Sequence, residues 1–194
     1  MLNTVESNPR DRIIKTALRL FYEQGYLATG INQIISESQV AKATFYNYFS
    51  SKENLCVAYL QARHILWMEW LKSSVESYTS VEERVRGIFV FLREWMISCN
   101  FRGCAFLNIA SEVPSLNSKI RTEVIRHKDD VRSYLKQLIS LLKHSRKCYR
   151  QIDIETDVDM IYVLLEGAIV ASQNYGQTWP IEAAQNAVCG LLKI

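Results

Sequence analysis

The feature that most constrains this chain is a pair of very short, apolar-faced segments set back to back. The first is Thr29-Gly30-Ile31-Asn32-Gln33-Ile34-Ile35. The second runs from Val40-Ala41-Lys42-Ala43-Thr44 into Phe45-Tyr46-Asn47-Tyr48-Phe49, and Ser51-Lys52-Glu53-Asn54-Leu55 follows at once. Ile31, Ile34 and Ile35 recur at helical spacing, as do Phe45 and Phe49, so both segments read as helices of about two turns. A helix that short is not stable alone in water, because a costly nucleus is followed by few propagating hydrogen bonds. Each must lean on neighbours, and each holds a face outward. Thr29 has the chemistry of an N-cap for the first segment. Ser51 reads as the cap of a third helix with Lys52 in its first turn, an arrangement that attracts phosphate.

Beside the inward Phe45 and Phe49 the second segment presents Lys42, Thr44, Tyr46, Asn47 and Tyr48, a mix of cationic and hydrogen-bonding groups. That mix suits a helix lying in the DNA major groove. The candidate DNA-binding residues are therefore Thr29, Lys42, Thr44, Tyr46, Asn47, Tyr48 and Lys52. Asn47 and Lys42 match base edges best, while Thr44, Tyr46, Tyr48 and Lys52 suit phosphates. The bland alternative is a packed helical hairpin with an aromatic core. Phe45 and Phe49 already fill the inner face, so at least one tyrosine is expected outside.

In these residues the chain resembles the TetR family of bacterial transcriptional regulators. The likeness covers Arg10 to Leu55: a Thr followed by the isoleucine stripe, then Val40, Lys42, Thr44, Phe45, Tyr46, Tyr48 and Phe49, then Ser51-Lys52-Glu53 and Leu55. Two positions depart from the family's pattern. Gln39 stands where the turn usually holds glycine, and a non-glycine residue at positive φ costs of order 1 kcal/mol. Ala41 stands where a serine usually opens the recognition helix, which removes a cap of about 1 kcal/mol. Neither change removes a DNA-facing group.

The rest of the chain reads as helix. The 194 residues carry only 3 Pro and 7 Gly, with 48% hydrophobic and 22% charged residues, the balance of an ordinary globular protein. The stretch from Met1 to Arg12 is polar and no apolar run approaches a membrane span. The five cysteines (Cys56, Cys99, Cys104, Cys148, Cys189) are scattered and odd in number. Together these features predict free thiols in a reducing cytoplasm. The net charge of +3 is mild, and the basic run from Lys119 to Arg150 reads as a solvated helix face.

Predicted helices span about Pro9–Gly25, with Ile13, Ala17, Leu20 and Phe21 inward, then Ser51–Tyr78, Val81–Cys99, Gly103–Val113, Leu116–His144, Ile154–Tyr175 and Ile181–Leu192. The fold class expected is all-α: a three-helix helix-turn-helix domain over residues 1–52, followed by an antiparallel helical bundle over 53–194 for ligand binding and dimerisation. The resemblance implies a homodimeric regulator that binds double-stranded DNA and responds to a small molecule. It also covers a Gly103-Cys104, Asn108, Glu112 pattern found in some members.

Cys104, Asn108 and Glu112 are four apart and share a helical stripe. They read either as an effector-orienting face or as polar groups satisfying nearby backbone. Large aromatics on the bundle helices offer apolar walls. The candidate effector-binding residues are Trp67, Trp70, Trp95, Cys104, Phe106, Asn108 and Glu112, and the effector expected is lipophilic with one or two polar groups. Glu166 lies in the apolar run Leu164–Val170, where a carboxylate needs a partner; the edge of the subunit interface or a partner arginine is the expected one, and a cationic effector is the alternative. Gly167, Ala168 and Ala171 allow close helix approach, so the dimer seam is placed on the last two helices.

His64, His127 and His144 lack ligand spacing, no metal or cofactor is predicted, and no catalytic motif appears. The function expected is a ligand-responsive repressor released from its operator by the effector. The alternative is a DNA-bound architectural protein of the same fold with no small-molecule switch.

Overall fold

The computed structural model describes residues 8–194; the expectation for the first seven residues lies outside them. Among the described residues there are nine α-helices and no strand. They are α1 (Pro9–Glu23), α2 (Ile31–Glu37), α3 (Lys42–Tyr48), α4 (Lys52–Glu76), α5 (Val81–Ser98), α6 (Ala105–Glu112), α7 (Lys119–Ser145), α8 (Ile154–Tyr175) and α9 (Trp179–Leu192), with a 3-10 turn at Lys147–Tyr149. The expected all-α architecture is present.

The chain forms two compact units. One comprises residues up to Ile65 together with Ala105–Ile125; the other comprises Leu66–Cys104 and Arg126–Ile194. The division differs from the expected one at 52/53, because α6 and the start of α7 join the first unit. Side-chain bonds fix them there: Glu112 accepts from the Tyr26 and Leu27 amides, and Gln61 Nε2 donates to Glu123 at 2.8 Å.

In the first unit α1 packs on both α2 and α3. Its inner stripe is Ile13, Ala17, Leu20 and Phe21, all buried. Asn8 caps it, accepting from the Arg10 amide, and Pro9 occupies a first-turn site where no amide hydrogen is missed. Ile34 of α2 and Phe45 of α3 are fully buried against this stripe. The two short helices thus gain from tertiary burial what their length denies them.

In the second unit α5, α8 and α9 pack on one another. A capping box starts α5: Ser80 accepts from the Glu83 amide, and the Glu83 carboxylate accepts from the Ser80 amide, satisfying two end donors reciprocally. Asp153 caps α8, and Gly176 ends it in the left-handed conformation. The α8 boundaries match those read from the sequence. Pro180 lies in the first turn of α9 as expected, though the helix opens earlier, at Trp179.

Candidate nucleic-acid interface and interior cavity

The α3 helix divides into two faces. Phe45 and the following Phe49 are buried, while Tyr46 and Tyr48 are each 43% exposed. Lys42 and Asn47 are exposed and Thr44 is half-buried. So both tyrosines stand outside, beside a lysine and an amide. Tyr46 lies edge-on to Phe45 at 5.3 Å, and the Tyr48 hydroxyl donates to Asn8 Oδ1 at 3.4 Å. These contacts limit the rotamers of the outward rings without covering them.

Two turns set the position of α3. Gln39 in the α2–α3 turn has φ 53°, the left-handed value that glycine meets without strain. Arg12 of α1 compensates from outside the turn, donating Nε to the Ser38 carbonyl at 3.1 Å and Nη2 to the Gln39 carbonyl at 3.3 Å. Ala41 begins α3 with no side-chain cap, as its identity requires.

The α1–α2 turn corrects the reading of Thr29. Gly30, not Thr29, is the N-cap of α2. Thr29 is fully buried, and its hydroxyl donates to the Gly25 carbonyl at 2.7 Å and the Leu20 carbonyl at 3.3 Å. Thr29 thereby ties the end of α1 to the turn, and as a fully buried side chain it is removed from the DNA-facing set. Ser51 does cap α4, accepting from the Asn54 amide at 3.1 Å. Lys52 is turned toward the same α1–α2 turn. Its ammonium donates to the Leu27 carbonyl at 3.3 Å and sits 4.6 Å from the centre of the Tyr26 ring. Partial burial lowers its pKa, against the opposing fields of Cys56 and Glu112.

The second unit contains a partly enclosed cavity of about 20 Å³, room for a water or two. Trp67, Leu92 and Trp95 supply apolar wall, with Cys104, Lys128 and Glu166 as its polar side. Lys128 is not on a solvated face as the charge pattern of α7 implied. Its ammonium donates to both Glu166 oxygens, at 2.8 and 2.7 Å, and lies 3.6 Å from Cys104 Sγ. The two side chains are only 14% and 21% exposed. Burial disfavours the ammonium, yet the fields of Cys104 and Glu166 and the ion-pair hydrogen bond outweigh it, so the Lys128 pKa is raised. Glu166 therefore finds its partner within its own chain, in a lysine. Trp67 meets Trp95 and the buried His127 edge-on at 5.7 and 5.4 Å, and its indole nitrogen has no hydrogen-bond partner.

Of the residues proposed for an effector, this cavity gathers Trp67, Trp95 and Cys104. Trp70 is 48% exposed and borders an open groove with Ser73 and Glu94. Phe106, Asn108 and Glu112 belong to the first unit. There Phe106 is buried core and the Glu112 carboxylate accepts from backbone amides. Sequence reasoning missed Lys128 because six other lysines and arginines crowd the same helix; its spacing from His127, Val131, Tyr134 and Leu135 was the available signal. Among the described residues no group of His, Cys, Asp and Glu is arranged to hold a metal, and no helix is long and apolar enough to cross a membrane.

A small helical module that buries one face of α3 and presents Lys42, Tyr46 and Asn47 on the other is a helix-turn-helix DNA-binding unit. The comparisons with known proteins extend this to the whole chain. Residues 13–59 match "Bacterial regulatory proteins, tetR family", and residues 81–188 match "Tetracyclin repressor-like, C-terminal domain". The chain belongs to the TetR family of transcriptional regulators.

An uncharacterized HTH-type transcriptional regulator of Lactococcus lactis is 25% identical over 70% of each chain. The HTH-type transcriptional regulator LmrA of Bacillus subtilis is 37% identical over 47% of each. Among solved structures, a TetR-family transcriptional regulator from Streptomyces coelicolor superposes with a TM-score of 0.84 at 27% identity, covering 95% of this chain and 94% of its own.

Proposed function

We propose that this chain is a cytoplasmic homodimeric repressor whose hold on an operator is relieved by a small lipophilic effector. The observation that carries the reading is the contrast between the two units. One exposes a helix of DNA-binding chemistry, and the other encloses an apolar space with a buried ion pair at its wall. Lys42 and Asn47 read base edges, while Thr44, Tyr46 and Tyr48 contact phosphates; Lys52 adds a positive charge beside them. An effector that fits the cavity wedges Trp67 and Trp95 apart. Its one or two polar groups face Lys128, Glu166 and the unpartnered Trp67 indole N–H. Release is then a population shift, limited by how much more tightly the effector binds the DNA-incompetent arrangement of the two subunits.

A dimer seam on the last two helices has support in their exposed faces. Met160, Val163, Gly167 and Val170 form an outward stripe along α8, with Tyr175 and Trp179 beyond it. On α9 the exposed Ala183, Ala187 and Gly190 lie at helical spacing, and a Cβ placed on Gly167 or Gly190 meets nothing within 4 Å. An apolar stripe beside small residues is what a symmetric helix–helix seam requires.

The test begins by selecting a duplex from a random pool with the wild-type chain. Neutral lipophilic compounds are then screened for its release. Leu92→Phe adds volume to the cavity wall and should abolish release by the active compounds while leaving duplex binding intact. Equal release from this variant places the effector elsewhere. If no compound alters either release or melting temperature, the switchless architectural protein is the better reading.

A further inference from the structure

We infer that Glu112 is a positioning residue for DNA binding: its carboxylate, at the end of α6, is the resident anion of a backbone nest that shapes the α1–α2 turn. The nest begins at Gly25, whose φ of 96° lies in the left-handed region. That conformation turns successive amides the same way and creates an anion-binding concavity. Glu112 Oε1 accepts from the Tyr26 amide at 3.1 Å and Oε2 from the Leu27 amide at 2.6 Å. The fit is close: a Cβ at position 25 lies 3.1 Å from Glu112 Oε1, so the carboxylate would have to give by a few tenths of an ångström to admit one.

The turn is held from its other side as well. Lys52 donates to the carbonyl of Leu27, the residue whose amide Glu112 receives, and covers the Tyr26 ring. Thr29, two residues on, is fixed to Gly25 and Leu20, and α2 starts immediately afterwards. The last turn of α6 thus fixes the backbone from which the short helices α2 and α3 depart. Withdrawing the carboxylate leaves two amides without an acceptor and lets the turn relax, although Glu112 touches none of the outward groups of α3. The inference rests on the DNA-binding reading of α3.

Charge alone and positioning predict opposite results, which makes the test decisive. Glu112→Gln removes a negative charge from a DNA-binding unit, so electrostatics by itself tightens binding to a polyanion. Loss of the latch weakens it. The measurements use the full chain and the duplex that wild type selects from a random pool. Glu112→Ala should weaken binding about tenfold, the worth of one charge-assisted hydrogen bond, and Glu112→Gln, which keeps one carbonyl oxygen, should fall between the two.

Hydrogen exchange at the Tyr26 and Leu27 amides should speed up about tenfold in Glu112→Ala, with far-UV helicity retained. If Glu112→Ala does not fold, Glu112→Gln carries the test by both binding and amide exchange. Tighter or unchanged binding in a folded variant overturns the inference, as does unchanged amide exchange. A wild-type chain that selects no duplex refutes the DNA-binding reading instead, and the exchange measurement then still decides whether the latch exists.

Discussion

Arg12 on the first helix donates to the carbonyl of Gln39, the one residue of the α2–α3 turn with a left-handed backbone. A cation from a neighbouring helix thereby steadies a conformation that glycine would adopt freely. Gln39→Gly should stabilise the chain by about 1 kcal/mol by removing the Cβ penalty. Arg12→Ala should destabilise it by roughly 1–2 kcal/mol, since two carbonyls lose a charged donor. Urea unfolding of both variants checks the pair; a stabilising Arg12→Ala would show that the bracing is absent in solution.

The outward residues of α3 divide by the kind of loss they produce. Lys42→Ala should flatten the dependence of log binding constant on log salt by about one contact's worth. Asn47→Ala should leave that slope alone and reduce discrimination between the selected duplex and a scrambled one, by roughly 1–3 kcal/mol. Lys52→Ala combines both behaviours, because its ammonium also holds the Leu27 carbonyl. Fluorescence anisotropy at three salt concentrations separates them.

Breaking the buried pair from one side is expected to cost more than removing it altogether. Lys128→Met strands the Glu166 carboxylate in an apolar wall and should lower stability by about 3–5 kcal/mol. Lys128→Met with Glu166→Leu should recover most of that loss. The pH dependence has a definite sign. The Lys128 pKa is raised in the folded chain, so its contribution is complete below the ordinary lysine pKa and disappears only as pH rises through the folded value. Denaturation midpoints should therefore show a loss from this lysine in strong alkali and none from it in acid.

The exposed stripe of α8 is the place to test assembly. Val163 is 66% exposed, so Val163→Arg should give monomers with intact helicity and much weaker duplex binding. Ala168, though small and close in sequence, is only 4% exposed, so Ala168→Arg should unfold the second unit rather than separate subunits. Sedimentation and circular dichroism on both variants distinguish these outcomes. A wild-type chain that sediments as a monomer at micromolar concentration would remove the dimer from the proposal.

The helices and the two-faced α3 were legible because they follow from local periodicity: Phe45 and Phe49 had to face inward, and that put Tyr46, Asn47 and Tyr48 outside. Gln39 and Ala41 were legible for the same reason, since turn and cap chemistry is local. The roles of Thr29, Glu112 and Lys128 were not. Thr29 preceded an apolar stripe and so had the spacing of a cap, but its hydroxyl serves carbonyls behind it. Glu112 shared a stripe with Cys104 and Asn108, yet the amides that donate to it are eighty-five and eighty-six positions away. Lys128 lay among cations whose solvated majority hid the one turned inward. For Glu112 and Lys128 the partner is distant in sequence, and periodicity carries no information about distant partners; for Thr29 it gives the position but not the direction in which the hydroxyl turns.

The smallness of the cavity sets the tempo of any response. A chamber of about 20 Å³ is far below the size of a drug-like ligand, so the proposed effector would need a more open form than this one. Apparent affinity is then the intrinsic affinity diminished by the fraction of molecules that stand open. The rate of association would then level off at high ligand concentration, at the rate of opening. A sensor built this way would ignore brief or dilute encounters.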